Sequence, residues 1–262
     1  MKEKILRAKS FFLIDQGTLV FRGSFNSLAL DLMIHDLQQY PRHVDKLRAL
    51  TAHIAEDLWA IFTVVDRLWR TQQAAIRNEF EETLWRSYSA LDINFFHIQV
   101  RSVMDTLATL ISETADKRGQ LPASFADLVS KLNKHSSRLD PRIVSILENS
   151  TWFYATRDVR DKIVHYNAKT LIFGEPCDGI LFQVFSKKFS PLIHDPRLMH
   201  NENTVIFDRY ATVVIANLIC LIEDVFDVLY LRYGLEKRVG SYVSSLGFGI
   251  FYSWLNSAES WL

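Results

Sequence analysis

The spacing of apolar residues along the chain predicts a mainly helical protein. A first helix over 26–40 places its leucines on one face and ends before Pro41, because proline disfavours helical geometry in the preceding residue. Apolar residues then recur at intervals of three, four and seven, which indicates one long helix or two placed end to end. These residues are Val44, Leu47, Ile54, Leu58, Ile61, Val65 and Leu68. The pattern continues with irregular intervals through Ile76, Phe80 and Leu84.

Four more helices follow from the same kind of pattern. One is predicted over 91–117, closed by Gly119 and Pro122, and a short one over 124–135. Pro141 suits the first turn of the next helix, which continues to a charged segment at 160–165. The last long helix is predicted from about 204 to 233, and Gly234 ends it.

Two segments have strand-like composition instead. Residues 11–22 predict a short hairpin or an extended arm, and 170–173 with 180–185 predict a β-hairpin around a turn at 174–179. The predicted fold class is therefore mainly α, an up-and-down helical bundle with a small β-hairpin insertion before the last long helix. We divide the chain into an N-terminal arm with long helices (1–90), a helical core (91–233) and an aromatic C-terminal tail (234–262). Without a linker between them, these parts form one structural domain.

Charge and hydropathy exclude several functions. The 30 basic and 30 acidic side chains cancel, which argues against non-specific nucleic-acid binding through a basic face. The strongest apolar run, 211–222, has about a dozen residues, whereas a membrane span requires roughly 20. With no signal peptide at its N-terminus, the chain is predicted to be cytoplasmic, without a transmembrane span. The aromatic tail suits a membrane surface or a partner, but docking onto the protein's own core is favoured.

No metal or cofactor is expected. Cys177 and Cys220 lack metal-ligand spacing and are predicted to be two packed thiols. His194 and His200 flank Asp195 in a loop, but no third ligand lies close by in the sequence. Five further residues are interpreted first as structural: His53, His97, Trp59, Trp69 and Trp85. The three tryptophans could also stack on nucleic-acid bases.

The charged segment at 160–165 is the best candidate for a functional site. At about 100° per residue, Arg157, Asp161 and His165 share one stripe of a helix, and Arg160 lies about 100° away. An aspartate one turn from a histidine can orient its ring, and a guanidinium matches a phosphate with its fork of donors. Such a set suits phosphodiester chemistry without a metal. The alternative is a solvated, salt-bridged helix face.

The segment Arg160 to His165 resembles the Arg-x(4–6)-His signature of the HEPN superfamily, in which a polar residue such as Asp161 follows the arginine. The earlier segment 95–112 resembles the HEPN core helix that packs beside the motif helix and often supplies a polar or acidic partner to the arginine. On that resemblance we nominate Asp105 as the partner of Arg160. The likeness covers roughly 91–233. Tyr166 directly follows His165, so the Arg-x(4)-His-x-Tyr form of nucleotidyltransferase-regulated toxins is not matched.

The resemblance implies a HEPN-type bundle acting as a metal-independent endoribonuclease, common in toxin–antitoxin, phage-defence and CRISPR-associated systems. It implies cleavage of single-stranded RNA by 2′-hydroxyl attack, at a composite site formed by a homodimer, with a possible antitoxin or partner protein. The implied catalytic residues are Arg160, His165, Asp161 and, more weakly, Asp105. Two alternatives stay open: a non-catalytic HEPN domain that binds nucleotide or a partner protein, and a helical scaffold.

Overall fold

A computed structural model describes residues 1–15, 18–23, 41–115, 120–165, 169–184, 195–235 and 246–262. Its helices are α1 (Lys2–Ser10), α2 (Pro41–Ile76), α3 (Glu82–Thr114), α4 (Phe125–Ser130), α5 (Leu132–His135), α6 (Pro141–Glu148), α7 (Phe153–His165), α8 (Phe207–Tyr233) and α9 (Leu246–Ser257). Its strands are β1 (Phe12–Asp15), β2 (Thr18–Phe21), β3 (Thr170–Phe173), β4 (Leu181–Val184), β5 (Met199–Asn201) and β6 (Thr204–Ile206). The chain is mainly α, as predicted. The helix predicted over 26–40 lies outside the described residues.

Two long antiparallel helices, α2 and α3, form the frame of the bundle. The apolar pattern predicted helix through Leu84, but the chain turns after Ile76, and Asn78 adopts a positive φ of 56° in that turn. The helix predicted from residue 91 therefore begins earlier, at Glu82. Cross-helix ion pairs, Lys46 with Glu113 at 2.6 Å and Arg67 with Asp92, agree with the antiparallel register.

Helix α8 lies in the middle of the core and is buried on almost all sides. It ends as predicted at Gly234, whose φ of 62° is the left-handed conformation that glycine adopts readily. Its start is three residues later than predicted, because 204–206 pair with neighbouring strands and form β6 instead. One continuous hydrophobic core includes residues from Ile5 in α1 to Ala258 after α9.

The small sheet before α8 contains the predicted hairpin. β3 and β4 are antiparallel, with Thr170 opposite Val184 and Phe173 opposite Leu181. The sheet is larger than predicted, however, since its strand order is β3-β4-β6-β5. The sequence pattern missed β5 and β6 because three residues are too few to show alternation. The predicted N-terminal hairpin is present as β1 and β2, and α1 before it was not predicted.

The described end of the aromatic C-terminal tail, 246–262, docks onto the protein's own core, as favoured from the sequence. Helix α9 packs against α2, and the Phe248 ring lies 4.5 Å from that of Phe62 and 5.5 Å from that of Trp59. Phe12 and Phe21 of the N-terminal hairpin complete the aromatic cluster. Within the described ranges, none of the helices is long and apolar enough to cross a membrane.

Replacing Gly247 by alanine is expected to lower the free energy of unfolding by about 1–3 kcal/mol. A Cβ at this position would overlap the backbone carbonyl of Phe62, and α2 cannot move aside as a flexible side chain could. Gly249→Ala is the matched control, since a Cβ there meets nothing within 4 Å. It should stabilise the protein by about 0.5–1 kcal/mol, because alanine favours helix. Urea unfolding of both variants tests this; equal effects would contradict the close approach of α9 and α2.

Candidate active site

Helix α7 carries the charged segment and presents it at its C-terminal end. It is anchored by Phe153, Thr156 and Val159, which are buried. The sequence predicted one helix from Pro141 to this segment, but that prediction was wrong: α6 ends at Glu148, and residues 149–152 form a turn before α7. Because of this break, α7 does not continue along the axis of α6. The charged residues lie on the side of α7 that is not buried.

Asp161 is the centre of the charged cluster. Its Oδ1 accepts a hydrogen bond from Arg160 Nη1 at 3.0 Å, and its Oδ2 lies 3.3 Å from Arg157 Nε. His165 Nε2 is 3.9 Å from Asp161 Oδ1. The helical spacing therefore brings Arg157, Asp161 and His165 together as expected. Arg160, about 100° away at its Cα, joins them because a guanidinium reaches sideways along the helix surface.

The contact between Arg160 and His165 is the most informative feature of the cluster. Arg160 Nη1 lies 2.9 Å from His165 Nε2. A guanidinium has no lone pair to offer, so in this hydrogen bond Arg160 donates and Nε2 accepts. The contact places the Arg160 guanidinium directly beside the His165 ring, and 60% of the His165 side-chain surface is exposed.

Asp105 lies elsewhere. Its Oδ2 is 2.8 Å from Arg101 Nε, and its Oδ1 accepts a hydrogen bond from the backbone of Phe125 at the start of α4. Arg101 lies over the ring of Phe153, the first residue of α7, with 5.3 Å from its Cζ to the ring centre. Asp105 thus ties α3 to the start of α4, and its hydrogen bonds give it a structural role.

The directions of α3 and α7 show how far Asp105 is from the motif. Near the start of β3, Thr170 bonds Asn94 of α3, so the chain from Phe153 to Thr170 runs opposite to α3. Asp105 follows Arg101 along α3, and Arg160 follows Phe153 along α7. Because the two helices run in opposite directions, Asp105 and Arg160 lie on opposite sides of the contact between Arg101 and Phe153. At 1.5 Å per residue this separates them by roughly 15 Å along the helix axes. The structure does not bring Asp105 to Arg160, and we leave it out of the proposed site.

The other candidate residues divide between buried and exposed positions: Trp85 is buried, whereas His53, Trp69 and His200 are exposed. His97 is fully buried, and Asp195 is bound by Arg197 through Oδ2 to Nη2 at 2.6 Å. His194 lies outside the described residues. Among the residues that the structure describes, no three side chains of His, Cys, Asp or Glu come close enough together to hold a metal ion.

The two cysteines differ in their surroundings. Cys220 is buried, as predicted, and burial raises the pKa of its thiol to about 11. For Cys177 the prediction of a packed thiol was wrong, because it lies exposed in the turn between β3 and β4. Neither thiol contacts the cluster around Asp161.

No known family model, curated protein or solved structure matches the chain. The resemblance of the Arg160 to His165 segment to the HEPN signature therefore stays a prediction from the sequence.

Proposed function

We propose that the protein is a metal-independent endoribonuclease of HEPN type, with Arg160 and His165 as its catalytic residues. The observation that supports this best is the 2.9 Å contact between Arg160 Nη1 and His165 Nε2. It pairs a proton acceptor with a cation that can bind a phosphate, and both belong to one exposed helix end. Asp161 orients the pair through its contacts with both residues.

In the proposed reaction, His165 Nε2 takes the proton from a ribose 2′-hydroxyl. The 2′ oxygen forms a bond to the adjacent phosphorus, while the bond from phosphorus to the 5′ oxygen breaks. Arg160 turns from His165 to the phosphate and stabilises the negative charge that develops on its oxygens. The products are a 2′,3′-cyclic phosphate and, once the leaving oxygen gains a proton, a 5′-hydroxyl.

A second copy of the chain supplies what one site lacks. After His165 has taken a proton, the leaving 5′ oxygen needs another acid, and the cluster around Asp161 holds a single histidine. A two-fold dimer can place the protonated His165 of the second copy on the other side of the phosphate. The dimer would also provide a second Arg160 to hold the RNA backbone.

A non-catalytic binding site is the second candidate, and one observation favours it. Both Arg157 and Arg160 contact the carboxylate of Asp161, so much of their positive charge is compensated before any ligand arrives. Such a site would suit weak anion recognition or contact with a partner protein. It predicts RNA binding without cleavage, which the same assay detects.

The purified protein is expected to cleave single-stranded RNA in the presence of EDTA. Metal independence follows from the proposed residues, which offer a proton acceptor and a cation but only one carboxylate, whereas Mg²⁺ sites use oxygen ligands. The new 3′ ends should be cyclic phosphates or, after their hydrolysis, 3′-phosphates, and the new 5′ ends hydroxyls. Gel analysis with end-specific labelling distinguishes these products.

RNA of the same sequence with 2′-O-methyl groups throughout is the matched control. It should bind but remain intact, because its 2′ oxygen has no proton to give and cannot attack. Cleavage of the methylated RNA, or products with 3′-hydroxyl ends, would contradict the proposed mechanism. Binding without cleavage of either RNA would favour the non-catalytic candidate.

A further inference from the structure

One face of α3 is apolar although it is exposed to solvent. Its five residues leave between 38% and 63% of their surface uncovered, with Leu91 the most exposed. They are Leu84, Tyr88, Leu91, Phe95 and Ile98, and we call them the α3 stripe. The opposite face of the same helix packs into the core through residues such as Ile93 and Val100. Helix α3 is therefore apolar on two faces, of which only one is used within the described chain.

The stripe has the spacing of a helix-packing seam. Its residues follow one another at intervals of four, three, four and three, the repeat by which one helix packs lengthwise against another. At 1.5 Å per residue the stripe is about 20 Å long. A face with this regular spacing fits a partner helix whose apolar residues have the same spacing. The α3 helix of a second copy of the chain is such a helix.

The stripe also carries no charge that would oppose a second copy. Between Leu84 and Ile98 the charged side chains are Arg86 and Asp92. Arg86 donates to the carbonyl of Gly174 at 3.1 Å, and Asp92 is 5% exposed and paired with Arg67. Interface centres are depleted in charged residues in the same way. Two stripes can therefore meet without burying an unpaired charge from this part of α3.

The area agrees with a stable dimer. With side-chain areas of about 150–250 Å² each and a little under half of each exposed, the stripe presents roughly 400 Å² of apolar surface. Interfaces are about 60% apolar, so this corresponds to roughly 700 Å² per copy, close to the 800 Å² of a standard interface. Phe80, whose ring lies 5.8 Å from that of Tyr88, extends the apolar surface towards Trp69.

We propose that a second copy of this chain covers the α3 stripe, with a two-fold axis passing near Leu91. Leu91 lies at the middle of the stripe, so the axis brings the two Leu91 side chains towards each other. The proposed interface lies on α3 and does not depend on the nuclease proposal, because Leu91 takes no part in that chemistry. The association is therefore measured by mass and not by activity.

Sedimentation velocity of the full chain is expected to show a dimer at micromolar concentration. Leu91→Glu should weaken the dimer by about 100-fold or more, because each dimer then buries two carboxylates at its centre. Leu231→Glu is the matched control: Leu231, on α8, is 68% exposed and lies outside the stripe. It should leave the dimer unchanged. A wild-type monomer, or equal effects of the two variants, would overturn the proposal.

Cross-linking gives a second measurement that does not depend on a disruptive change. In a Cys177→Ser background, Leu91→Cys should be joined to a covalent dimer by a short bis-maleimide, because the axis places the two thiols close together. Leu231→Cys in the same background should stay monomeric on a denaturing gel. A dimer in sedimentation that is not cross-linked through position 91 would place the interface elsewhere and overturn the assignment to the stripe.

Discussion

Replacing His165 by alanine is expected to lower the rate of RNA cleavage by about 10²- to 10⁴-fold, the usual contribution of a general acid or base. The imidazole that takes the 2′-hydroxyl proton is lost, while Arg160 and Asp161 remain. Because 60% of the His165 side chain is exposed, the free energy of unfolding of the variant should differ from that of the wild type by no more than about 0.5 kcal/mol. Single-turnover cleavage in EDTA, with urea unfolding alongside, measures both quantities.

His200→Ala is the matched control, because His200 is also exposed but lies in β5, outside the cluster around Asp161. It should cleave at the wild-type rate. Arg160→Ala should lose activity to a degree comparable with His165→Ala, and Arg160→Lys should recover little, since lysine lacks the planar fork. Wild-type rates in the His165→Ala and Arg160→Ala proteins would show that the activity belongs to other residues or to a contaminant.

Acidification is expected to destabilise the protein through His97. This imidazole is completely buried between aromatic rings, its Nδ1 bonded to the carbonyl of Ile93 at 2.7 Å and its Nε2 to the hydroxyl of Tyr210 at 2.9 Å. Burial lowers the pKa of His97 to about 4, although the bond to Ile93 partly opposes this.

The unfolded chain binds a proton at His97 below pH of about 6.5, whereas the folded protein does so only near pH 4. Protons therefore favour the unfolded state between these values, and stability falls as the pH falls. The loss should be about 2 kcal/mol at pH 5 and approach 3 kcal/mol near pH 4. Urea unfolding at pH 7 and pH 5 measures it.

A His97→Gln variant separates this effect from other titrating groups. Glutamine can occupy a similar volume and form hydrogen bonds, but it does not titrate. The variant should be less stable than the wild type at pH 7, and the difference should shrink by about 2 kcal/mol at pH 5. If the difference in unfolding free energy between the variant and the wild type were the same at pH 7 and pH 5, the pKa of His97 would not differ between the folded and unfolded states as proposed.

Local spacing was enough to predict the composition of the candidate site but not its full geometry. The stripe of Arg157, Asp161 and His165 follows from helical periodicity, and the structure brings these side chains together. That Arg160 bridges Asp161 and His165 depends on side-chain length and direction, which periodicity does not describe. Asp105 was nominated from a resemblance, and the register of α3 against α7 places it beside Arg101 and the start of α4.

The α3 stripe shows a different limit of the sequence pattern. Leu91, Phe95 and Ile93 are all apolar, and only packing against neighbouring elements reveals that Leu91 and Phe95 are exposed while Ile93 is buried. A helix that is apolar on two faces looks, by sequence, like a fully buried helix. The stripe therefore became visible only once the partners of α3 were known.

What the sequence by itself determined is the helical class, the hairpin of β3 and β4, the end of α8 at Gly234 and the inward docking of the aromatic tail. Each follows from interactions between residues close in the chain, or from the cost of leaving aromatic surface in water. The tertiary structure alone decided the break between α6 and α7, the strands β5 and β6, the place of Asp105 and the exposure of Leu91. These depend on contacts between residues distant in sequence, whose free energies outweigh weak local preferences.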